Sequence, residues 1–240
     1  MSYLVVGVII GLLIMGHELG HFLAARAVGV PVELFSIGFG PAIWKKRFGG
    51  TEFRLSLIPL GGFVLPAVTC EDDFFRIPVH YRIMLFLGGP VANLVIALML
   101  ISIYNVLTGG FSITGAFIEP FRQTASMMHT IIISITNLFT QPGSVSGIVG
   151  ILHQGGGFVK GGALHAVRLA FILSVNLAVF NLLPVPVLDG GKIFLFFLEK
   201  INLRFQKIYA PIMVAGWLVI IGLIIYATAL DIGRLMHTPS

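Results

Sequence analysis

The sequence predicts an all-α polytopic membrane protein, with about four transmembrane helices and a small membrane-associated β-hairpin in its first cytoplasmic loop. Three observations carry this expectation. Of the 240 residues, 57% are hydrophobic and only 10% charged, against about 25% charged in a soluble domain. Four apolar runs are long enough to cross a bilayer, which takes about 20 residues. Between the first two runs, a shorter stretch alternates apolar and polar residues with the period of a strand.

The first run, near 3–26, has no cationic leader and carries His17, Glu18 and His21. It reads as a retained span, not a cleaved signal peptide. In the loop that follows, "VELFSIGFG" is strand-like, and "GTEFRLSLIPLGGFV" sets Phe53, Leu55 and Leu57 against Glu52, Arg54 and Ser56. Gly61-Gly62 then supplies a turn or bulge. A β-like loop over 32–65, pressed against the membrane, follows; its edge could accept an extended peptide, or it could serve only as a plug. Further spans are expected near 85–107, 165–185 and 211–230. The segment 117–139 has an Ile-rich centre, but Arg122, Gln123, His129 and Asn137 fit an interfacial helix better than a fifth span. The chain reads as a single domain, 1–240. Its one cysteine, Cys70, excludes an intrachain disulfide and a thiolate metal cluster.

The net charge of +5 is scattered among loops, so no nucleic-acid partner is expected. Lys45, Lys46, Arg47, Arg54, Arg76 and Arg82 fall between 29 and 84, and Lys192, Lys200, Arg204 and Lys207 between 186 and 210. Positive residues favour the cytoplasmic side, which puts both termini outside.

The stretch "IMGHELGHFLAARAVG" sets three polar side chains in a span. A charge there costs about 2.5–3.5 kcal/mol on insertion scales and by default marks function. His17 and His21 share one helical face, and Glu18 holds the position of the general base in H-E-x-x-H metalloproteases. Two imidazoles and one further ligand would leave a fourth zinc position open for water. The bland alternative is a pair of satisfied core histidines beside a snorkelling glutamate. For the third ligand, Asp189 in "NLLPVPVLDGG" stands out. It sits at a span edge where Pro184 and Pro186 break the helix, whereas Glu119, Glu199 and Asp231 read as interfacial and Glu71-Asp72-Asp73 as a solvated cluster. Its bland reading is the N-cap of the next helix. His17 and Asp189 reach one depth only if the first and third spans run parallel, which requires an odd number of crossings between them, and the span near 85–107 supplies one. The other histidines (His80, His129, His153, His165 and His237) have no partner at ligand spacing and read as structural.

Taken together, "GHELGHFLAARAVGVPVELFSIGFGP", "IPLGGFV", "HYRIMLFLGGPVANLVIA", "SVSGIVGI" and "VNLAVFNLLPVPVLDGGKIFLF" resemble the site-2 protease family of intramembrane zinc metalloproteases. The likeness is to its bacterial regulated-proteolysis branch, which cuts anti-sigma factors. The resemblance implies a zinc ion on His17, His21 and Asp189, and Glu18 as catalytic base. It implies that Asn181 holds the substrate backbone, and that the loop carrying Leu55, Leu57, Gly61 and Gly62 corresponds to the family's membrane-reentrant hairpin. Asn93 in "GGPVAN" reads as an interhelical hydrogen bond. The family branch usually carries PDZ domains between its second and third spans, and the roughly 55 residues at 108–162 are too few for one.

The expected function is therefore hydrolysis of peptide bonds in or near transmembrane segments, in regulated intramembrane proteolysis. The expected partners are the lipid bilayer and a single-span membrane-protein substrate, either anti-sigma-factor-like or a signal-peptide remnant. The expected setting is the bacterial cytoplasmic membrane, with the site towards the cytoplasm. Rival readings are a catalytically silent membrane adaptor and a zinc-transport protein.

Overall fold

In lipid, backbone groups must pair within their own segment, so the apolar runs fold as helices. The computed structural model describes residues 2–68, 71–138 and 148–237; Cys70 and positions 144–147 of "SVSGIVGI" lie outside them. The elements in chain order are α1 (Ser2–Ala27), β1 (Val32–Phe48), β2 (Thr51–Pro66), α2 (Glu71–Arg76) and α3 (Val79–Gly109). A π-helical turn (Thr114–Ile118) leads into α4 (Glu119–Leu138), followed by α5 (Ile148–Val159), α6 (Ala163–Asn181), α7 (Asp189–Ile201) and α8 (Arg204–His237). Among the described residues, four helices are long and apolar enough to span a membrane: α1, α3, α6 and the part of α8 from Arg204 to Leu230. α4 is not one of them.

Small residues decide where α1 and α3 meet. A Cβ on Gly20 would strike the Gly88 carbonyl and the Ala92 Cβ, and one on Gly88 would strike the Gly20 carbonyl and the Ala24 Cβ. The two backbones therefore touch, with α3 running opposite to α1. Between apolar helices in lipid, such contact replaces the hydrophobic effect as the source of association. On its other side α3 meets α6, where Ser174 Oγ donates to the Asn93 carbonyl at 2.7 Å. Ala97 and Ile101 of α3 pack there with Phe171, Val175 and Val179 of α6 and Ile131 of α4. α1 and α6 consequently run the same way, the arrangement that a His17–Asp189 site requires. α6 ends at Asn181, four residues before the expected end of the third span. Pro184 excludes Leu183 from helical backbone and turns 182–188 into a non-helical connection.

The two strands are long and bent, so they form more than a simple hairpin. Leu34, Phe35, Ser36 and Ile37 each pair twice, with 62–65 on one side and 52–55 on the other. Trp44–Phe48 pairs back onto Thr51–Leu55. The bends fall at Gly38 and Gly61, whose φ values of 87° and 141° lie in the glycine region. Phe22 of α1 packs against Phe35 and Phe53 with ring centroids 5.6 Å apart, fastening the sheet to the end of α1.

A second clamp holds α7. Arg82, 1% exposed, donates from Nη1 and Nη2 to both carboxylate oxygens of Glu199 at 2.7 and 2.6 Å. Its guanidinium lies 4.7 Å from the Phe196 ring centroid and 5.1 Å from that of Phe75. Glu199, expected at an interface, is thus a buried partner; the sequence separation of 117 residues hid it. Burial opposes ionisation of Glu199, but Arg82 and Gln206 outweigh it and hold the carboxyl below its usual range.

Removing one member of a buried ion pair typically costs about 3–5 kcal/mol, because the other is left charged and unpaired. Arg82→Met should lose stability of that order on unfolding in detergent, and the double variant with Glu199→Met should recover most of it. Because the folded-state pKa of Glu199 is depressed, its contribution is present above the ordinary carboxylate pKa and should fade as pH falls through the folded value.

Candidate metal centre

His17 and His21 stand one turn apart on α1, and Asp189 opens α7, so three donors reach one point from two elements. His17 Nε2 lies 3.1 Å from Asp189 Oδ2 and His21 Nε2 lies 3.2 Å from it. The two Nε2 atoms are 3.1 Å apart, with the rings nearly perpendicular at 89°. All three residues are buried. The N-cap position of α7 is taken by Leu188, so Asp189 is not a cap and its carboxylate turns towards the histidines.

The protons argue for a cation here. His21 Nδ1 stands 2.8 Å from the Leu85 carbonyl, to which it can only donate. In the neutral ring Nε2 is then a bare lone pair. Asp189 Oδ2 is buried, with the two imidazole Nε2 atoms as its polar neighbours at 3.1 and 3.2 Å. Burial alone would push the Asp189 carboxyl up, but the two imidazoles and Lys192 overcome it and hold the group well below the usual carboxylate range. With both Nε2 atoms deprotonated, as metal ligation requires, the facing lone pairs would repel, and a metal ion would remove the conflict. Donor separations of 3.1–3.2 Å suit tetrahedral zinc, whose ligand bonds of about 2.0–2.1 Å give edges of about 3.3 Å. Gly89 of α3 keeps the space open, since a Cβ there would stand 2.6 Å from His17 Nε2 and against His21 Nε2.

These donors line a cavity of about 450 Å³, with Glu18, Asn181, Gly61, Gly62, Lys192 and Trp217 among its walls. Asn181 Nδ2 is 3.5 Å from His17 Nε2. Glu18 lies beneath the sheet: a Cβ on Gly62 would press its side chain at 2.8 Å. Leu55 and Leu57, by contrast, lie outside the cavity. The backbone of Leu55 pairs with both Ile37 and Trp44, so it offers no free edge. The sheet border that faces the cavity is Gly61–Pro66.

Two features here escape the sequence. Lys192 Nζ lies 4.0 Å from Asp189 Oδ1 and 4.5 Å from the Phe86 ring centroid. Burial depresses its pKa, against the opposing charges of Asp189 and Glu18; its place three residues after Asp189 was the available signal. Asn93, read from sequence as an interhelical link, also touches the site, with Nδ2 3.1 Å from His17 Nδ1.

Comparison with known proteins places this arrangement among relatives. The model of "Peptidase family M50" matches residues 5–223. A Campylobacter jejuni protein provisionally named a zinc metalloprotease is 26% identical, over 98% of this chain and 94% of its own length. That alignment runs over 348 residues, more than this chain contains. A Chlamydia pneumoniae protein of the same provisional description is 39% identical over 46% of this chain. The "Regulator of sigma E protease" of Haemophilus influenzae is 42% identical over 37% of it. The matches span only 20% and 22% of the length of these last two proteins.

If the point between the three donors is where a metal sits, filling it should exclude one. Gly89→Ala should weaken zinc uptake about tenfold or more, read by chelator competition, with helical content by circular dichroism unchanged. Gly109→Ala, whose Cβ meets nothing within 4 Å, should bind as the wild type.

Proposed function

The chain belongs to peptidase family M50, and from that premise we propose that it is an intramembrane zinc metalloprotease. Its reaction is hydrolysis of a peptide bond in or beside a transmembrane segment of another membrane protein. The observation that carries the reading is the convergence of two imidazoles and a carboxylate on one buried point, in a cavity that also holds a glutamate.

His17 and His21 would hold the ion through Nε2, and Asp189 through Oδ2. Zinc so bound supplies a Lewis acid for the scissile carbonyl and brings the pKa of water towards neutrality. Glu18 takes the proton of the attacking water and hands it to the leaving amine. Asn181 donates its amide to the substrate backbone. A substrate helix hides its carbonyls within itself, so the part to be cut must unwind and be held extended. The border at Gly61–Pro66, next to the cavity, suits strand addition. Leu55 and Leu57, 41% and 59% exposed, offer apolar contact farther along the sheet.

The distribution of Lys and Arg supports a site facing the cytoplasm with both termini outside, in the cytoplasmic membrane of a bacterium. In that orientation α4 lies at the opposite membrane surface as an interfacial helix. A "Regulator of sigma E protease" among the relatives supports a role in regulated proteolysis, with a single-span, anti-sigma-factor-like protein as the substrate class.

Glu18→Gln should keep about one zinc per chain, yet lose cleavage of a single-span reporter in proteoliposomes by about 10²–10⁴-fold. Full activity in that variant would exclude Glu18 as the base. Asp189→Ala should lose both zinc and cleavage; unchanged zinc affinity would remove Asp189 from the ligand set.

A further inference from the structure

Asn93 is the side chain whose surroundings the metal-centre geometry does not by itself explain. It is 0% exposed, in the middle of a spanning helix, where an unsatisfied carboxamide is costly. Its Nδ2 stands 3.1 Å from His17 Nδ1, and its Oδ1 is buried without a hydrogen-bond partner. The backbone at this residue is fixed as well, by Ser174 Oγ from α6. Asn93 therefore stands where α1, α3 and α6 meet.

Proton accounting decides what the carboxamide must do. His17 Nε2 faces Asp189 Oδ2 and His21 Nε2, so in the metal-ready ring Nε2 is bare and the proton sits on Nδ1. An Nδ1–H needs an acceptor, and an amide NH₂ is only a donor. Turned over about its Cβ–Cγ bond, the Asn93 carboxamide would present Oδ1, the atom left without a partner, to that proton. The two ends of a carboxamide have nearly the same shape, so hydrogen-bond logic assigns them. His21 is held in the same way by the Leu85 carbonyl. That carbonyl lies in the turn of α3 where Pro90 offers no N–H to Phe86 and loosens the ladder.

We propose that Asn93 is a positioning residue for His17: its carboxamide oxygen accepts the Nδ1 proton and fixes the tautomer whose Nε2 lone pair faces the metal position. This rests on the metalloprotease reading above. Each imidazole then has its own acceptor on α3, the Leu85 backbone for His21 and the Asn93 side chain for His17. Outer partners of metal-bound histidines are typically worth 10–100-fold in metal affinity.

The test is zinc affinity by chelator competition for the wild type, Asn93→Leu and Asn93→Asp, with the melting temperature of each metal-free protein measured alongside. Asn93→Leu keeps the size but removes the acceptor, and should bind zinc 10–100-fold more weakly. Asn93→Asp keeps an acceptor at the same place, and should bind within about threefold of the wild type or more tightly. A residue that only packed helices together would make both variants lose zinc in proportion to their lost melting temperature. That outcome, or wild-type affinity in Asn93→Leu, overturns the proposal. If Asn93→Leu does not fold, loss of zinc by a folded Asn93→Asp overturns it equally. Absence of zinc from the wild type would instead strike the metalloprotease reading itself.

Discussion

Three lone pairs, two on imidazoles and one on a carboxylate, face each other across 3.1–3.2 Å in the interior of this protein. Deprotonated, as a metal site requires, they would repel, so the surrounding structure has to hold them together. The backbone contact at Gly20 and Gly88 brings α3 against the histidine face of α1, and Gly89 keeps that face free of side chains. The turn at 182–188 folds tightly onto the start of α7, where a Cβ on Gly190 or Gly191 would strike the Leu182 or Val185 carbonyl. This seats Asp189 opposite the histidines.

Different forces hold the elements around the site. Within the spans, close packing of small residues replaces the hydrophobic effect. At the end of α1, the Phe22–Phe35–Phe53 contact joins the sheet to that helix, and near the start of α3 the Arg82–Glu199 pair among its aromatic rings joins α7 to α3. α8 is the exception. It rests on the 182–188 turn through Gly216, and much of its surface is exposed apolar side chain of the kind a bilayer covers. The cavity wall at Trp217 is therefore formed by the span least buried by the rest of the chain.

Much of this was legible in the residues. The four spans were readable because each must satisfy its own backbone in lipid, which demands an unbroken apolar run. The bent strands were readable from the alternation at Phe53, Leu55 and Leu57. The end of α6 was misjudged by four residues, because apolarity continues through Leu182 and Leu183 while Pro184 already forbids the helix. The free sheet edge was also hidden. Alternation announces a strand but not its neighbours, and Leu55 is flanked by pairing on both sides. Glu199 reads as interfacial from sequence because its partner is 117 residues away.

The sequence by itself determined the spacing of His17, Glu18 and His21, since one helical turn fixes which side chains share a face, and it singled out Asp189 beside two prolines. Only the tertiary structure decided that these donors meet, within 3.1–3.2 Å of one another. It alone showed that Leu85 offers a carbonyl and Asn93 a carboxamide to the far sides of the two rings. A backbone carbonyl has no letter in the sequence, and an asparagine in a span has many uses. What either does depends on which atom of another helix stands about 3 Å away, and packing sets that distance.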